Sequence, residues 1–186
     1  VKALTIYQPY ADLIALSAKR YETRSWATNH RGPTAIHAGA KSFQQFMREA
    51  FPYLVNGWSY HPNYAAGLAF LEQLAAVYYD TPFTKTNPMS FVRRLELLLP
   101  RGAVIATANL VDCHSIHLDP KTHRIRLVSS RGMQGGVSGC SPEAFFGDYR
   151  PGRYAWEWAD VQPLPEPVPC RGQQGLWNWK GVTRPC

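Results

Sequence analysis

Residues 42–100 carry apolar side chains at helical spacing, with strand-patterned segments on both sides. Phe43, Phe46, Met47, Ala50, Phe51 and Leu54 define a helical run over 42–55. Leu68, Leu71, Ala75 and Tyr78 define a second over 64–79, and Phe91, Val92, Leu95 and Leu98 a third over 89–99. Pro52, Pro62, Pro82, Pro88 and Pro100 punctuate these runs, because proline lacks an amide hydrogen and clashes inside a helix. Before this block, residues 3–8 alternate as a strand. Pro9 then opens a helix over 10–20, with Asp12 in its first turn and Lys19 and Arg20 at its cationic end. A turn at Arg31-Gly32-Pro33 leads into a second strand, TAIHA. Strand patterns return at 103–116, 124–128 and 153–158. Helices grouped between strands predict an α+β fold rather than a βαβ series. Few long strands predict a small bent sheet or barrel.

Twenty Lys and Arg against 13 Asp and Glu give a net charge of +7, and aromatics reach 13%. A basic chain this rich in aromatic rings makes nucleic acid, or a nucleotide fragment of it, the first partner to consider. With 45% hydrophobic residues the composition excludes a disordered or collagen-like chain, and the apolar runs are too short for a membrane span. Cys113, Cys140, Cys170 and Cys186 are scattered without a CxxC pair, so neither metal nor disulfide framework is expected. His114 and His117 point to opposite faces if they lie on a strand. Scattered cysteines and an N-terminus broken by Gln8, Pro9 and Asp12 fit a cytoplasmic chain without a secretory leader.

The densest chemistry lies in SAKRYETRSW, residues 17–26. Lys19 and Glu22 share a face if this segment is helical, whereas Glu22 and Arg24 share one if it is extended. Glu22 is then a carboxylate held between two cations. A desolvated Lys19 crowded by Arg20 or Arg24 loses proton affinity and can act as base or nucleophile. The Arg24 guanidinium can hold a phosphate or a base edge. The same pattern also describes a solvated helix end with a surface ion pair.

These residues belong to a longer pattern. Gln8-Pro9-Tyr10-Ala11 follows the first strand, and Lys19, Glu22 and Arg24 then stand in the register G-x-K-x-x-E-x-R. RGPTAIHAG comes next, and GDYRPGRYAWEW and PLPEPVPCRGQQGLWNW lie toward the C-terminus. In these motifs the chain resembles the ASCH domain, a branch of the PUA-like superfamily, over roughly 1–41 and 102–179. Ser17 stands where the family motif has glycine. The resemblance implies one domain over 1–179, with 42–100 as a helical insertion and 180–186 as a loose tail. It implies a small β-barrel with flanking helices and a cleft for RNA or a modified nucleoside, with no cofactor. Some relatives resemble amidohydrolases that remove an acyl group from N4 of cytidine, using the motif lysine and a hydroxyl residue three positions later. Glu22 occupies that position here, with Thr23 beside it. Other relatives resemble metal-assisted ribonucleases. Hydrolysis of a modified nucleobase or of RNA, with Lys19, Glu22 and His37 as the catalytic set, therefore stands beside a non-catalytic RNA-binding or protein-interaction module.

Other candidates surround this run. In the family the TAIHA strand borders the cleft, which makes His37 either a base or base-edge contact or a satisfied core histidine. Lys41 can meet a phosphate or simply be solvated. Tyr7 and Trp26 flank the motif as stacking rings, with Gln8 of the turn as a further ligand contact. Gln173 and Gln174, between Gly172 and Gly175, can offer amides to a base edge or form a polar turn. Arg124 and Arg126 share a strand face in a stretch free of acids between Asp119 and Glu143, as a phosphate track or a solvated stripe. The glycine-rich segment 129–141 reads as a mobile flap or a surface loop. Tyr154, Trp156 and Trp158 share one strand face as core or stacking platform, which turns Glu157 the other way and toward a possible cleft.

Overall fold

In a computed structural model of the chain, the residues described are 1–57, 59, 61–78, 83–122, 124–129, 131–132, 134–139 and 141–181. Strand β1 (Lys2–Ile6) leads through Gln8-Pro9 into helix α1 (Tyr10–Ala15), which is shorter than the run over 10–20 predicts. The helix ends because the Leu16, Ser17 and Ala18 amides fold back onto the Asp12, Ile14 and Leu13 carbonyls, each at 2.8 Å. This is a Schellman closure, which needs a left-handed residue just past the helix. Ser17 fills that place with φ of 58°, so the glycine of the motif has a physical reason and Ser17 carries the strain. The chain beyond is therefore extended, as β2 (Tyr21–Arg24), and Lys19 and Arg20 lie in the connection rather than on a helix.

Strand β3 (Gly32–Ala38) pairs parallel with β1. Four helices follow: α2 (Phe43–Ala50), α3 (Pro52–Val55), α4 (Tyr64–Val77) and α5 (Pro88–Leu98). Pro52 divides the first predicted run into α2 and α3. Strands β4 (Ala103–Leu118), β5 (Ile125–Ser129) and β6 (Gln134–Val137), helix α6 (Pro142–Phe145), and strands β7 (Tyr154–Pro169) and β8 (Leu176–Asn178) complete the chain. The glycine-rich segment is thus not wholly a loop, since β6 pairs with β5 as a hairpin; Ser130, Met133 and Cys140 lie outside the described residues. So does most of the predicted tail, from 182 to 186, with Cys186 in it.

The sheet has eight strands with the path β2-β7-β4-β3-β1-β8, and β5 and β6 hang from β4. It is mixed α/β and does not close, which corrects the expected barrel. It does curl. Laid flat, β2 and β1 would stand four strand spacings apart, roughly 19 Å. Instead the Arg24 Nη2 donates to the Thr5 carbonyl at 2.8 Å. Strand alternation decides the two faces. Trp156 and Trp158 enter one core with Leu4, Ile6, Ile36 and Leu110, while Ala155 turns to another with Ile116 and Leu127. These tryptophans are core, not a stacking platform.

The helices of 42–100 build a separate apolar cluster with α1 and α6, in which Leu13 and Phe146 meet Phe43, Phe70, Phe91 and Leu95. Tyr78 fixes them to α1 by donating to Asp12 Oδ2 at 2.6 Å. Among the described residues no helix is long and apolar enough to cross a membrane. On the other side of the sheet, Asp112 is 4% exposed and joins three segments. It accepts from Ser129 Oγ at 2.6 Å and Arg31 Nη2 at 2.9 Å, as well as from the Cys113 amide.

Ser17→Gly relieves the left-handed residue and stabilises the fold by about 0.5–1 kcal/mol, read as a higher midpoint of urea unfolding. For Asp112, burial raises the carboxyl, but the hydrogen bonds from Ser129, Cys113 and Arg31 outweigh it and hold the group below its ordinary 3.8. A depressed folded value means stability that is complete above about pH 4 and lost as pH falls through the folded value. Asp112→Asn should therefore cost stability at pH 7, and its deficit relative to wild type should shrink on acidification below pH 4.

Candidate functional site

The gap that the curled sheet leaves open is a cleft of about 510 Å³. Thr5 and Tyr7 form one side, from the end of β1. Glu22, Thr23, Arg24 and Trp26 form the other, on and just after β2. Tyr10, residues 146–148, Arg153 and 173–175 complete it.

Glu22 and Arg24 share a face because β2 is extended, and Arg24 Nη2 stands 3.2 Å from Glu22 Oε1. Lys19 Nζ stands 3.6 Å from the other carboxylate oxygen. Glu22 thus sits between two cations. Their exposures differ: the Lys19 side chain is 1% exposed and that of Arg24 26%. Lys19 lies behind Glu22, off the cleft wall, and donates to the Tyr21 carbonyl. Its Nζ is 4.0 Å from Glu143 Oε1 and 5.6 Å from the Tyr10 ring centre. Burial lowers its proton affinity; the Glu22 and Glu143 carboxylates oppose this, and Arg24 adds to it.

Glu143, from α6, escaped the sequence reading as a site residue. It accepts from the Arg20 amide at 2.7 Å, the Tyr21 amide at 3.3 Å and the Tyr149 hydroxyl at 2.8 Å, which docks α6 on the start of β2. Asp148 and Arg153 were also missed, although GDYRPGR sets opposite charges around a Pro-Gly turn. Thr23 Oγ1 accepts from the Asp148 amide at 2.9 Å, and Arg153 Nε is 3.3 Å from Asp148 Oδ2. The hydrogen bonds of Arg150 hold the Asp148 carboxyl below its ordinary value. Gly147 is needed here, because a Cβ would lie 2.7 Å from the Tyr149 ring and 3.0 Å from Thr23 Cγ2.

Of the ring candidates, Tyr7 is 51% and Trp26 36% exposed, and both line the cleft from opposite sides. Trp26 is braced edge-on by Trp156 at 4.5 Å between ring centres. Lys41 Nζ lies 4.6 Å from the Tyr7 ring centre and 2.6 Å from Glu49 Oε2, outside the cleft wall. Gln173 and Gln174 both line the cleft.

His37 is 1% exposed and borders a second cavity rather than the cleft. Its Nε2 is 3.1 Å from the Cys170 carbonyl. Burial lowers its proton affinity, against the Cys170 bond. Gln8 is fully buried, donates to the Pro100 carbonyl at 2.7 Å and accepts from the Asp12 amide at 3.1 Å. Its amide is spent on the fold, so it does not reach the cleft. Glu157 also stays away from the cleft, bound to Arg20 and to His114 Nε2. Arg124 and Arg126 lie on and beside β5 along a different surface, and the turn brings Asp119 to 3.9 Å from Arg126. The acid-free stretch is thus not free of acid in space.

Residues 4–164 match the family model described as the ASCH domain. No curated protein matches the chain.

Removing the buried cation tests what Lys19 does. Lys19→Met leaves Glu22 and Glu143 without their shared positive charge and should cost about 3–5 kcal/mol in urea unfolding, the size expected when one member of a buried charge set is lost. A loss below 1 kcal/mol would mean that the ammonium is not what holds these carboxylates.

Proposed function

Because the chain belongs to the ASCH domain family, a PUA-like and RNA-binding class of module, we propose that the cleft between β1 and β2 binds one unstacked base of an RNA strand. The observation that carries this reading is Glu22 and Arg24 side by side on a wall flanked by two exposed rings, Tyr7 and Trp26. A base has two apolar faces and one polar edge, and its faces stack on aromatic rings for about 1–3 kcal/mol. The edge must match the wall. An ionised carboxylate only accepts and a guanidinium only donates. An exocyclic amine beside a ring nitrogen acceptor satisfies both, which is the edge of cytosine or adenine. An N4-acylated cytosine keeps one N–H and still fits that pattern. Arg153 on the rim offers charge to the phosphate or sugar of the same nucleotide.

Lys19 acts in this reading through Glu22. From behind, it compensates the carboxylate and fixes it for the incoming amine. The hydrolase alternative asks the Lys19 amine to reach the substrate itself, and its 1% exposure behind Glu22 favours binding without turnover.

Glu22→Gln keeps the shape of the wall but replaces the charged acceptor. It should weaken binding of cytidine- or adenosine-containing RNA about tenfold or more, because a hydrogen bond to a charged group is worth about 1.5–3 kcal/mol. Tyr7→Ala should cost a similar amount through lost stacking. Unchanged affinity in both variants, titrated against short single-stranded RNA, would refute the assignment. Acetate release from N4-acetylcytidine by the wild-type protein would instead establish the hydrolase.

A further inference from the structure

A second cavity adjoins the cleft, and nothing in the base-binding reading uses it. It measures about 380 Å³ and shares Thr5, Tyr7, Gln173 and Gln174 with the first. These four residues form the partition, and Tyr7 stands in it with half its surface exposed. Beyond the partition the lining is mostly apolar: Ala40, Gly39, Gly102 and the edge of His37. Arg171 sits at this cavity, exposed and without an acidic partner among the described residues.

The cavity is built, not incidental. The Cys170 carbonyl can only accept, so His37 Nε2 donates to it, and the neutral ring is left with Nδ1 as an acceptor. That Nδ1 is buried without a partner. Gly172 closes over the ring so tightly that a Cβ would stand 2.5 Å from His37 Cε1 and 2.8 Å from Thr5 Oγ1. Gly175 has φ of 67°, a conformation that glycine adopts freely. Glycines thus bracket the two glutamines that divide the cavities. Trp177 packs edge-on against His37 at 5.7 Å and fixes the floor.

We propose that this second cavity receives the nucleotide next to the bound base, so that the ligand is a dinucleotide step of single-stranded RNA rather than a free nucleoside. The inference rests on the base-binding reading and deepens it. Its content is chemical. A neighbouring base needs an apolar slot, and Gly39, Ala40 and Gly102 supply one beyond Tyr7. The phosphate joining the two nucleotides needs a cation outside both slots, and Arg171 is unspent.

The test compares the four ribonucleosides with the sixteen ribodinucleoside monophosphates on wild-type protein, Arg171→Ala and Ala40→Trp. Arg171 and Ala40 are exposed, and neither lines the first cleft. In wild type the best dinucleotide should bind about ten- to thirtyfold tighter than the best nucleoside. Its log affinity should fall with log salt more steeply by about 0.7, the contribution of one single-strand phosphate. Arg171→Ala should erase the extra salt dependence and most of the advantage. Ala40→Trp should fill the slot and erase the advantage while nucleoside affinity stays within twofold. A dinucleotide no tighter than its nucleoside, or an advantage that survives both substitutions, overturns the second slot and leaves the base-binding reading standing. If neither nucleosides nor dinucleotides bind, the base-binding reading fails first and this inference falls with it.

Discussion

The Arg24 guanidinium is the member on which the site depends. One Nη2 atom reaches both the Thr5 carbonyl on β1 and the Glu22 carboxylate on β2. The first contact spans the gap that the unclosed sheet leaves, and the second fixes the acceptor on the cleft wall. A closed barrel would have filled this space with backbone hydrogen bonds. Here a charged side chain does the bridging, and the uncovered part of the gap becomes a cavity. Arg24 Nε is buried without a partner, which fits a side chain whose position is set by its two outer contacts rather than by full satisfaction.

Lys19 supplies the other half of that electrostatic arrangement. Two carboxylates, Glu22 and Glu143, come from strand and helix to within 4.0 Å of one buried ammonium. Taking these charges from water is costly, and their attraction offsets it only because the geometry is fixed by neighbouring backbone. Ser17 makes that geometry possible: two residues before Lys19, its left-handed φ closes off α1 and turns the chain toward β2. The strain at Ser17 and the burial of Lys19 are therefore linked parts of one connection.

Much of this was legible in the sequence, and the failures have physical causes. The mixed-charge run at 19–24 was visible because its spacing could be tested against helix and strand, and the extended alternative is the one the fold adopts. The shared face of Trp156 and Trp158 followed from period-two alternation, and their burial makes that face core. Strand β7 was seen only to residue 158 because Pro163, Pro165, Pro167 and Pro169 normally argue against a strand. They are tolerated since β2 pairs only with Tyr154–Glu157, leaving the later residues with β4 alone. Glu143, Asp148 and Arg153 were missed for a different reason. Glu143 and Asp148 act through contacts across more than a hundred residues to Arg20 and Thr23, which no local pattern encodes, and Arg153 is placed through Asp148. Gln8 erred the other way: its motif position drew attention, but the helices behind it and Pro100 consume its amide.

The distribution of charge separates attraction from recognition. The chain carries +7, yet the cleft wall pairs Glu22 and Asp148 with Arg24 and Arg153. Its formal charge is therefore balanced, and it cannot be the source of the general pull on a polyanion. Discrimination in such a pocket comes from directional hydrogen bonds and stacking, which salt screens weakly. The excess cations lie elsewhere, exposed Arg171 among them. A polymer would feel those charges over a Debye length before any base entered the cleft. A nucleoside, lacking phosphate, would meet only the balanced wall. The basic composition thus describes the approach of a strand, and the four cleft charges describe what is selected from it.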